Sequence, residues 1–258
     1  MERSIFAEHN IDIIKKKDIN MEVQELERLI RQQEVADSNV FSALMRKVYV
    51  WMTLALVITG VTAVGVANSP NLLALIYGNS FTMWGLIIAE LGLVMYISAR
   101  IEKLSLSTAT ILFAVYSALN GAMLSSIFLL YTTAVISKVF FITAATFGVT
   151  AFYGYTTKKD LSSLGNILFM ALIGLIIATV VNMFMKSSMF ELILSYIGVA
   201  IFVGLTAWDS QKIKEMLMVQ RNAGEGAQKV ALLGALSLYL DFINLFLYLL
   251  RIFGRSDD

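Results

Sequence analysis

Three acidic side chains stand within strongly apolar stretches of this sequence: Glu90, Asp209 and Asp241. A charged side chain at the centre of a bilayer costs about 2.5–3.5 kcal/mol on insertion scales, so such residues usually mark a functional site. Glu90 has two equally weighted interpretations, a buried protonated carboxyl or a ligand in an ion path. These three residues are the first candidates for chemistry in the chain.

The sequence around Asp241 places five polar residues on one face of a helix. Ser237, Asp241, Asn244, Tyr248 and Arg251 follow one another at spacings of four, three, four and three residues, which is the pattern of a helical stripe. In lipid, the stripe must turn toward other helices or water. It forms either an interhelical hydrogen-bond seam or an ion path that includes Asn244, and we favour the path because serine or asparagine would suffice for a seam. The face opposite the stripe is expected to carry Leu240, Phe242, Leu247 and Leu249.

Asp209 ends another apolar run, just before the polar segment 210–214. Alone, it would be a solvated carboxylate at the membrane interface. If it faces Asp241, two carboxylates about 4 Å apart at an effective dielectric constant of 20 repel by roughly 4 kcal/mol. Such a pair shares a proton and titrates as a unit, so it is a candidate pH sensor without histidine. Carboxylates are also ligands that Ca²⁺ prefers, so Asp209 and Asp241, with Glu90 as a further oxygen donor, are a candidate Ca²⁺ site.

The residue inventory excludes several classes of membrane enzyme. The chain has no cysteine and a single histidine, His9, in its charged N-terminal segment. Cysteine nucleophiles and membrane-embedded haem or zinc sites are therefore excluded. Two membrane aspartates are the minimum equipment of a di-aspartyl intramembrane protease, but neither lies in the Gly-x-Gly-Asp setting of such enzymes. We expect a non-enzyme without a cofactor, with Ca²⁺ as a transported or transiently bound ion.

The distribution of charge predicts an all-α membrane protein with a soluble tail. Hydrophobic residues make up 58% of the 258 residues and charged residues 15%, compared with roughly 25% charged in soluble domains. Residues 1–47 hold 17 of the 39 charged side chains and are predicted to form the tail, and 48–258 the transmembrane domain. Seven stretches are long enough to cross a hydrocarbon core of roughly 30 Å: 48–67, 82–99, 106–131, 139–157, 161–185, 190–209 and 230–253. Small residues are expected to let these helices pack closely, among them Gly60, Gly65, Gly148, Gly174, Gly198 and Gly204.

Basic residues in the short loops predict the orientation. Ten Lys and Arg residues precede the first span or follow the second, fourth and sixth, whereas the alternate loops hold only Lys138 and Lys186. The N-terminus is therefore expected in the cytoplasm and the C-terminus outside. Arg251 and Arg255 conflict mildly with that assignment, so a re-entrant last segment remains an alternative. The net charge of +1 argues against a nucleic-acid partner.

Three motifs resemble the Bax-inhibitor-1 family, also called the transmembrane BAX inhibitor motif family. They are Thr157-Lys158-Lys159-Asp160-Leu161-Ser162, Trp208-Asp209-Ser210-Gln211-Lys212-Ile213-Lys214, and the run ALSLYLDFINLFLYLLRIFG from Ala235 to Gly254. The last motif is nearly diagnostic, and the resemblance covers 41–258. Within the family, the sequence is most similar in type to bacterial members of the inner membrane.

The resemblance implies a seven-helix bundle whose last helix is surrounded by the other six. It also implies a calcium leak gated by a di-aspartyl pH sensor, with Asp209 and Asp241 in the sensor positions. Glu90 is similar to the family's acidic residue in the ion path. Arg100 is the candidate for a latch that pairs with the sensor and favours the closed state.

These observations lead to two hypotheses about function. The first is a pH-sensitive calcium leak whose partners are the lipid bilayer and Ca²⁺. The second is a membrane interaction protein that regulates a partner, such as a membrane protease or a death factor, without transporting ions. The tail carries Val23, Leu26 and Ile30 at helical spacing, which indicates either a solvated helix or, with less weight, a partner-binding one.

Overall fold

The computed structural model describes residues 2–220 and 222–254, with the side chains of 23–220 and 222–254. The side chain of His9, residue Arg221 and the charged C-terminal residues Arg255, Asp257 and Asp258 lie outside this description. Within it the chain forms nine helices: α1 Glu2–Ala67, α2 Pro70–Tyr77, α3 Ser80–Arg100, α4 Leu106–Leu124, α5 Ile127–Leu130, α6 Thr133–Thr156, α7 Ser162–Met185, α8 Ser188–Met218 and α9 Glu225–Phe253.

Seven of these helical segments are long and apolar enough to cross a membrane, as the sequence predicts. The third span consists of α4 and the short α5 together. The helix ends differ from the apolar runs, most clearly in α8, which continues beyond Asp209 to Met218. Hydropathy marks only the part of a helix that lies in hydrocarbon, whereas polar residues such as those at 210–215 extend the same helix toward the interface. Asp209 therefore lies inside a helix and does not end one.

Side chains in the short loops define several helix starts. At α3, α4, α6 and α8, the residue before the helix has extended backbone and its side-chain oxygen accepts a hydrogen bond from a first-turn N–H. These bonds satisfy donors that would otherwise lack a partner in an apolar environment. The capping residues are Asn79, Ser105, Thr132 and Ser187.

The last helix, α9, is the centre of the bundle. Helices α1, α4, α6 and α8 pack against it, α7 packs against α8, and α3 packs against α2 and α4. Side chains on several faces of α9 are buried, and Tyr239 and Leu245 have no exposed surface. A helix that is apolar on most of its circumference is expected to lie inside such a bundle. Four helices thus surround α9 directly, and α3 and α7 lie farther out.

The glycines that permit close packing are partly different from those expected. Gly198 and Gly204 face neighbouring side chains, as predicted, but a Cβ atom at Gly60, Gly65, Gly148 or Gly174 would meet nothing within 4 Å. The closest approaches occur at glycines that were not singled out, where a Cβ atom would collide with another helix: Gly121, Gly154 and Gly165. Composition shows that small residues are frequent, but only the structure shows which of them face a neighbour.

Helix α1 is continuous through the predicted boundary between residues 47 and 48. Its 23–39 segment projects from the bundle, and we call the membrane face on that side the tail side. Here Lys47 donates to Gln228 Oε1 (2.6 Å), and Glu225 Oε1 accepts from the N–H of Leu106 (2.9 Å). The start of α9 is thereby joined to α1 and to the α3–α4 loop.

Candidate functional site

The structure brings Asp209 of α8 and Asp241 of α9 together. The two carboxylates lie close enough to interact electrostatically. Asp241 is only 5% exposed, and Asp209 is half-buried. Asp209 and Asp241 come together because α8 makes the most extensive contact with the central helix. Helix α8 also continues past Asp209. The carboxylates that the sequence could only suggest as a pair are therefore neighbours in the fold.

The surroundings of this pair are poor in hydrogen-bond donors. Asp241 Oδ2 and Ser210 Oγ are buried and have no hydrogen-bond partner among the described residues. The charged neighbour that acts on Asp209 is Lys212, whose ammonium group lies 5.0 Å from the centre of the Trp208 ring. A buried carboxylate with an unsatisfied oxygen is costly in a stable core, so this arrangement indicates a role other than structural support.

The predicted stripe on α9 lies on the least buried face of that helix. Ser237, Asn244, Tyr248 and Arg251 are half-buried, and only Asp241 is buried. Asn244 donates to the backbone oxygen of Leu240 in its own helix (2.8 Å) and makes no interhelical bond among the described residues. The expectation that Leu240 and Leu247 lie opposite the stripe is wrong, since both are half-buried on its edge, whereas Phe242 and Leu249 are buried as expected.

A second polar cluster lies where α1, α3, α4 and α9 meet. The Tyr239 hydroxyl is 2.7 Å from Thr59 Oγ1, and Thr59 donates to the backbone oxygen of Ser117 (2.9 Å). Tyr239 therefore donates to Thr59. Glu90 interacts electrostatically with Tyr116 and Tyr239, and its Oε1 is buried with no hydrogen-bond partner in the described part of the chain. Glu90 of α3 is thus within electrostatic range of Tyr116 on α4 and Tyr239 on the central helix.

Tyr239 is the residue of this cluster that the sequence reasoning missed. It falls outside the stripe that contains Asp241, so a periodic search for polar residues does not select it. A usable signal was present, because a tyrosine in the middle of an apolar helix usually needs a partner for its hydroxyl. That signal does not identify the partner, since Thr59 is 180 residues away in the chain.

The structure also bears on two further expectations, the latch at Arg100 and the cation site at the acidic residues. Arg100 is exposed at the tail-side end of α3, and no ion pair joins it to Asp209 in the described structure. Its role as a latch stays a prediction. Nowhere among the residues that can be described do three His, Cys, Asp or Glu side chains gather to hold a metal ion. Glu90 therefore does not complete a three-carboxylate site with Asp209 and Asp241.

Two of the sequence motifs form one structural unit on the tail side. Gln211 Nε2 donates to the backbone oxygen of Lys159 (2.8 Å), and Gln211 Oε1 accepts from the N–H of Leu161 (2.8 Å). In the same loop, the N–H of Ser162 donates to Asp160 Oδ1 (2.8 Å), which lowers the pKa of the Asp160 carboxyl. Gln211 thereby joins the α6–α7 loop to the helix that carries Asp209.

We expect Gln211→Ala to lower stability, because it leaves a backbone N–H and a backbone C=O of the loop without their partners. The loss should be about 1–3 kcal/mol, the usual cost of an unsatisfied buried group. Thermal unfolding in detergent measures it. Gln220→Ala is the control, since the Gln220 side chain, just past the end of α8, donates only to the nearby Met216 backbone oxygen among the described residues. Equal stability of the two variants would contradict the joining role of Gln211.

The fold and site define a polytopic α-helical membrane protein with a carboxylate pair at the surface of its central helix. A family model described as "Inhibitor of apoptosis-promoting Bax1" matches residues 41–258, and the chain belongs to this family, the Bax-inhibitor-1 family. The residues that the family model matches are the same as the range 41–258 expected from the sequence motifs.

Curated relatives agree with this membership. The chain is 52% identical over 212 residues to "Inner membrane protein YbhL" of Escherichia coli K12, covering 82% of this chain and 91% of that protein. It is 45% identical over 216 residues to the uncharacterized protein RP147 of Rickettsia prowazekii, covering 83% and 90% of the two chains. An uncharacterized protein of Borreliella burgdorferi is 45% identical over 224 residues, covering 87% and 95%. The chain is therefore an integral multi-pass protein of a bacterial inner membrane, and these names point to a membrane protein other than an enzyme.

Proposed function

We propose that the protein is a passive cation leak, mainly for Ca²⁺, whose open and closed states respond to pH through Asp209 and Asp241. The observation that supports this proposal is the position of the pair between α8 and the central helix, where one oxygen of Asp241 is buried and has no hydrogen bond to any described residue. The proposal includes the orientation predicted by the basic loops, in which the tail side is cytoplasmic.

A carboxylate pair is suited to convert pH into a change in packing. Close carboxylates bind and release protons as a unit, so the charge between α8 and α9 changes with pH. A difference of one unit between the pKa of a group in the open state and its pKa in the closed state is worth about 1.4 kcal/mol. Moving a two-state equilibrium from mostly closed to mostly open requires about 5.5 kcal/mol, so one strongly coupled pair supplies a large part of it.

The arrangement of the acidic groups favours passage of an ion over storage. Conduction requires sites that bind a cation weakly enough to release it, whereas a tight Ca²⁺ site needs six to eight oxygens. The described residues offer a pair of carboxylates at α8–α9 and a separate carboxylate, Glu90, on α3. Asn244 lies one turn from Asp241 on the half-buried face of α9 and is the remaining candidate for the path.

A partner-regulating role without ion transport is the second candidate. The 23–39 segment of α1 projects from the bundle with exposed apolar side chains, including Leu26, Leu29 and Ile30. Deleting residues 1–40 separates the two functions. Loss of a cellular phenotype with ion flux intact would favour the partner-regulating role.

Ca²⁺ uptake into proteoliposomes loaded with a fluorescent indicator tests the leak directly. We expect uptake above that of empty liposomes, and uptake that changes between about pH 6 and pH 8 because the pair titrates as a unit. Glu215→Gln should behave as the intact protein, since Glu215 is an exposed carboxylate on the same helix as Asp209. Absence of uptake by protein shown to be folded and inserted would overturn the proposal.

A further inference from the structure

A lateral groove reaches from the bundle surface to the central helix between α1 and α6. Both helices pack against α9, but they make no extensive contact with each other in the described structure. The gap has a volume of about 670 Å³ and Phe242 of α9 lies at its floor. At the tail side the groove is closed by a stack of Phe41 on Tyr155, with ring centres 6.3 Å apart.

The lining of this groove is apolar except at one end. Met52 and Leu56 of α1 face Phe147 and Ala151 of α6 along its length, and most of its exposed surface is carbon. Arg46, Tyr49 and Thr53 supply polar groups toward the tail side. The groove thus has a long hydrocarbon part and a single cationic end.

A second, shallower groove of about 330 Å³ begins at the same arginine. It is lined by Val50 and Leu54, and it shares Arg46, Tyr49 and Thr53 with the first groove. Arg46 is exposed and forms no ion pair within the part of the chain that can be described. The two apolar grooves therefore meet at the guanidinium group of Arg46, which has no ion-pair partner among the described residues.

We propose that these two grooves bind one anionic diacyl phospholipid of the tail-side leaflet. Its phosphate would pair with Arg46, one acyl chain would lie in the groove between α1 and α6, and the other would lie along Val50 and Leu54. A diacyl phospholipid has one charged phosphate and two hydrocarbon chains. The phosphate matches Arg46, and the two chains match the two apolar grooves. Tyr49 and Tyr155 lie near the head-group level, where aromatic side chains are favoured, and basic residues there attract anionic lipid.

A second copy of the chain fits this surface less well. Residues 46–47 and the segments that join the spans on the tail side hold ten basic residues and, with Asp209, five acidic residues, whereas the opposite segments hold two basic residues and, with Glu191, one acidic residue. A parallel neighbour in the same membrane would place its own basic loops against Arg46, and like charges repel. A lipid phosphate instead supplies the opposite charge.

The acyl chain in the first groove would touch the helix that carries the carboxylate pair. Phe242, at the floor of the groove, directly follows Asp241 and is buried. Its ring also packs on Phe140 and Phe147 of α6, with ring centres 5.5 Å apart in each case. Lipid binding is nevertheless independent of the proposed leak, and its test needs no ion flux.

Photo-labelling tests the acyl-chain site. The protein is reconstituted in nanodiscs with phosphatidylglycerol that carries a diazirine on one acyl chain, and adducts are located by mass spectrometry. We expect adducts on α6 near Phe147, and Gly148→Leu should remove them by filling the groove. A Cβ atom at Gly148 meets nothing within 4 Å, so this variant should fold. Gly174→Leu on α7 is the matched control, because that position is equally open and lies outside the groove.

The head-group contact is tested by comparing phosphatidylglycerol with phosphatidylcholine probes. One basic residue at an anionic surface is worth about 1 kcal/mol, so we expect about fivefold stronger labelling by phosphatidylglycerol. Arg46→Gln should abolish this preference, and Arg100→Gln, the same change at an exposed site on the same side, should retain it. Equal labelling by both lipids in the intact protein would overturn the proposal. So would a dimer detected by native mass spectrometry in place of lipid adducts, if Gly148→Leu dissociates it, because that would indicate a second copy on this surface.

Discussion

Gly154→Leu is expected to destabilise the bundle more than any other single glycine substitution on α6. A Cβ atom at Gly154 would collide with the backbone oxygen of Ala207 on α8. Backbone cannot move aside as a flexible side chain can, so the two helices must separate. Overpacking typically costs about 1–3 kcal/mol, and we expect the upper end of that range or more. Because Ala207 is two residues from Asp209, the separation should also displace the carboxylate pair.

Gly148→Leu is the control for this result, because it is the same substitution on the same helix at a position with open space. Thermal unfolding in detergent and the yield of monodisperse protein measure the difference. We expect a clear loss for the Gly154 variant and little change for the Gly148 variant. Similar losses in both would mean that α6 does not pack on α8 through Gly154.

Removing either carboxylate of the pair is expected to stabilise the fold at neutral pH. Asp209→Asn and Asp241→Asn each relieve the repulsion between the two groups, and the double variant should gain less than the sum of the two. Neighbouring residues in one network usually show coupling energies of about 0.5–3 kcal/mol. In acid, where the pair carries its protons, the advantage of the variants should disappear.

A double-mutant cycle in mixed micelles measures this coupling as free energy of unfolding. Glu215→Gln is the control, because an exposed substitution of this kind usually changes stability by less than about 0.5 kcal/mol. Strictly additive effects of the two aspartate substitutions would show that the carboxylates do not interact.

The sequence was sufficient to predict the seven spans from apolar length, whereas the central position of the last helix was implied only by the resemblance to a known family. It was also sufficient to select Asp209 and Asp241, since acidic residues in apolar helices are costly and stand out. Their proximity was not predictable from spacing, because it depends on the register between α8 and α9. That register is set by close approaches such as Gly198 of α8 to Tyr248 of α9 and Gly234 of α9 to Ile213 of α8.

The remaining features depend on which distant residues meet. The bond from Tyr239 to Thr59 and the bonds from Gln211 to the α6–α7 loop join residues far apart in the chain, and no local pattern specifies them. The groove between α1 and α6 is likewise a consequence of two helices that pack on α9 but not on each other. The expectations for Gly60, Gly65, Gly148 and Gly174 were wrong for the same reason, since the sequence gives the residue type but not the face it presents.

The most direct test of the proposed function is Ca²⁺ flux into proteoliposomes between about pH 6 and pH 8 for the intact protein, Asp209→Asn and Asp241→Asn. We predict a pH-dependent flux in the intact protein that either substitution flattens, because each leaves a single carboxylate where two titrate as a unit. A pH dependence that survives unchanged in both folded variants would contradict the assignment of the sensor to this pair.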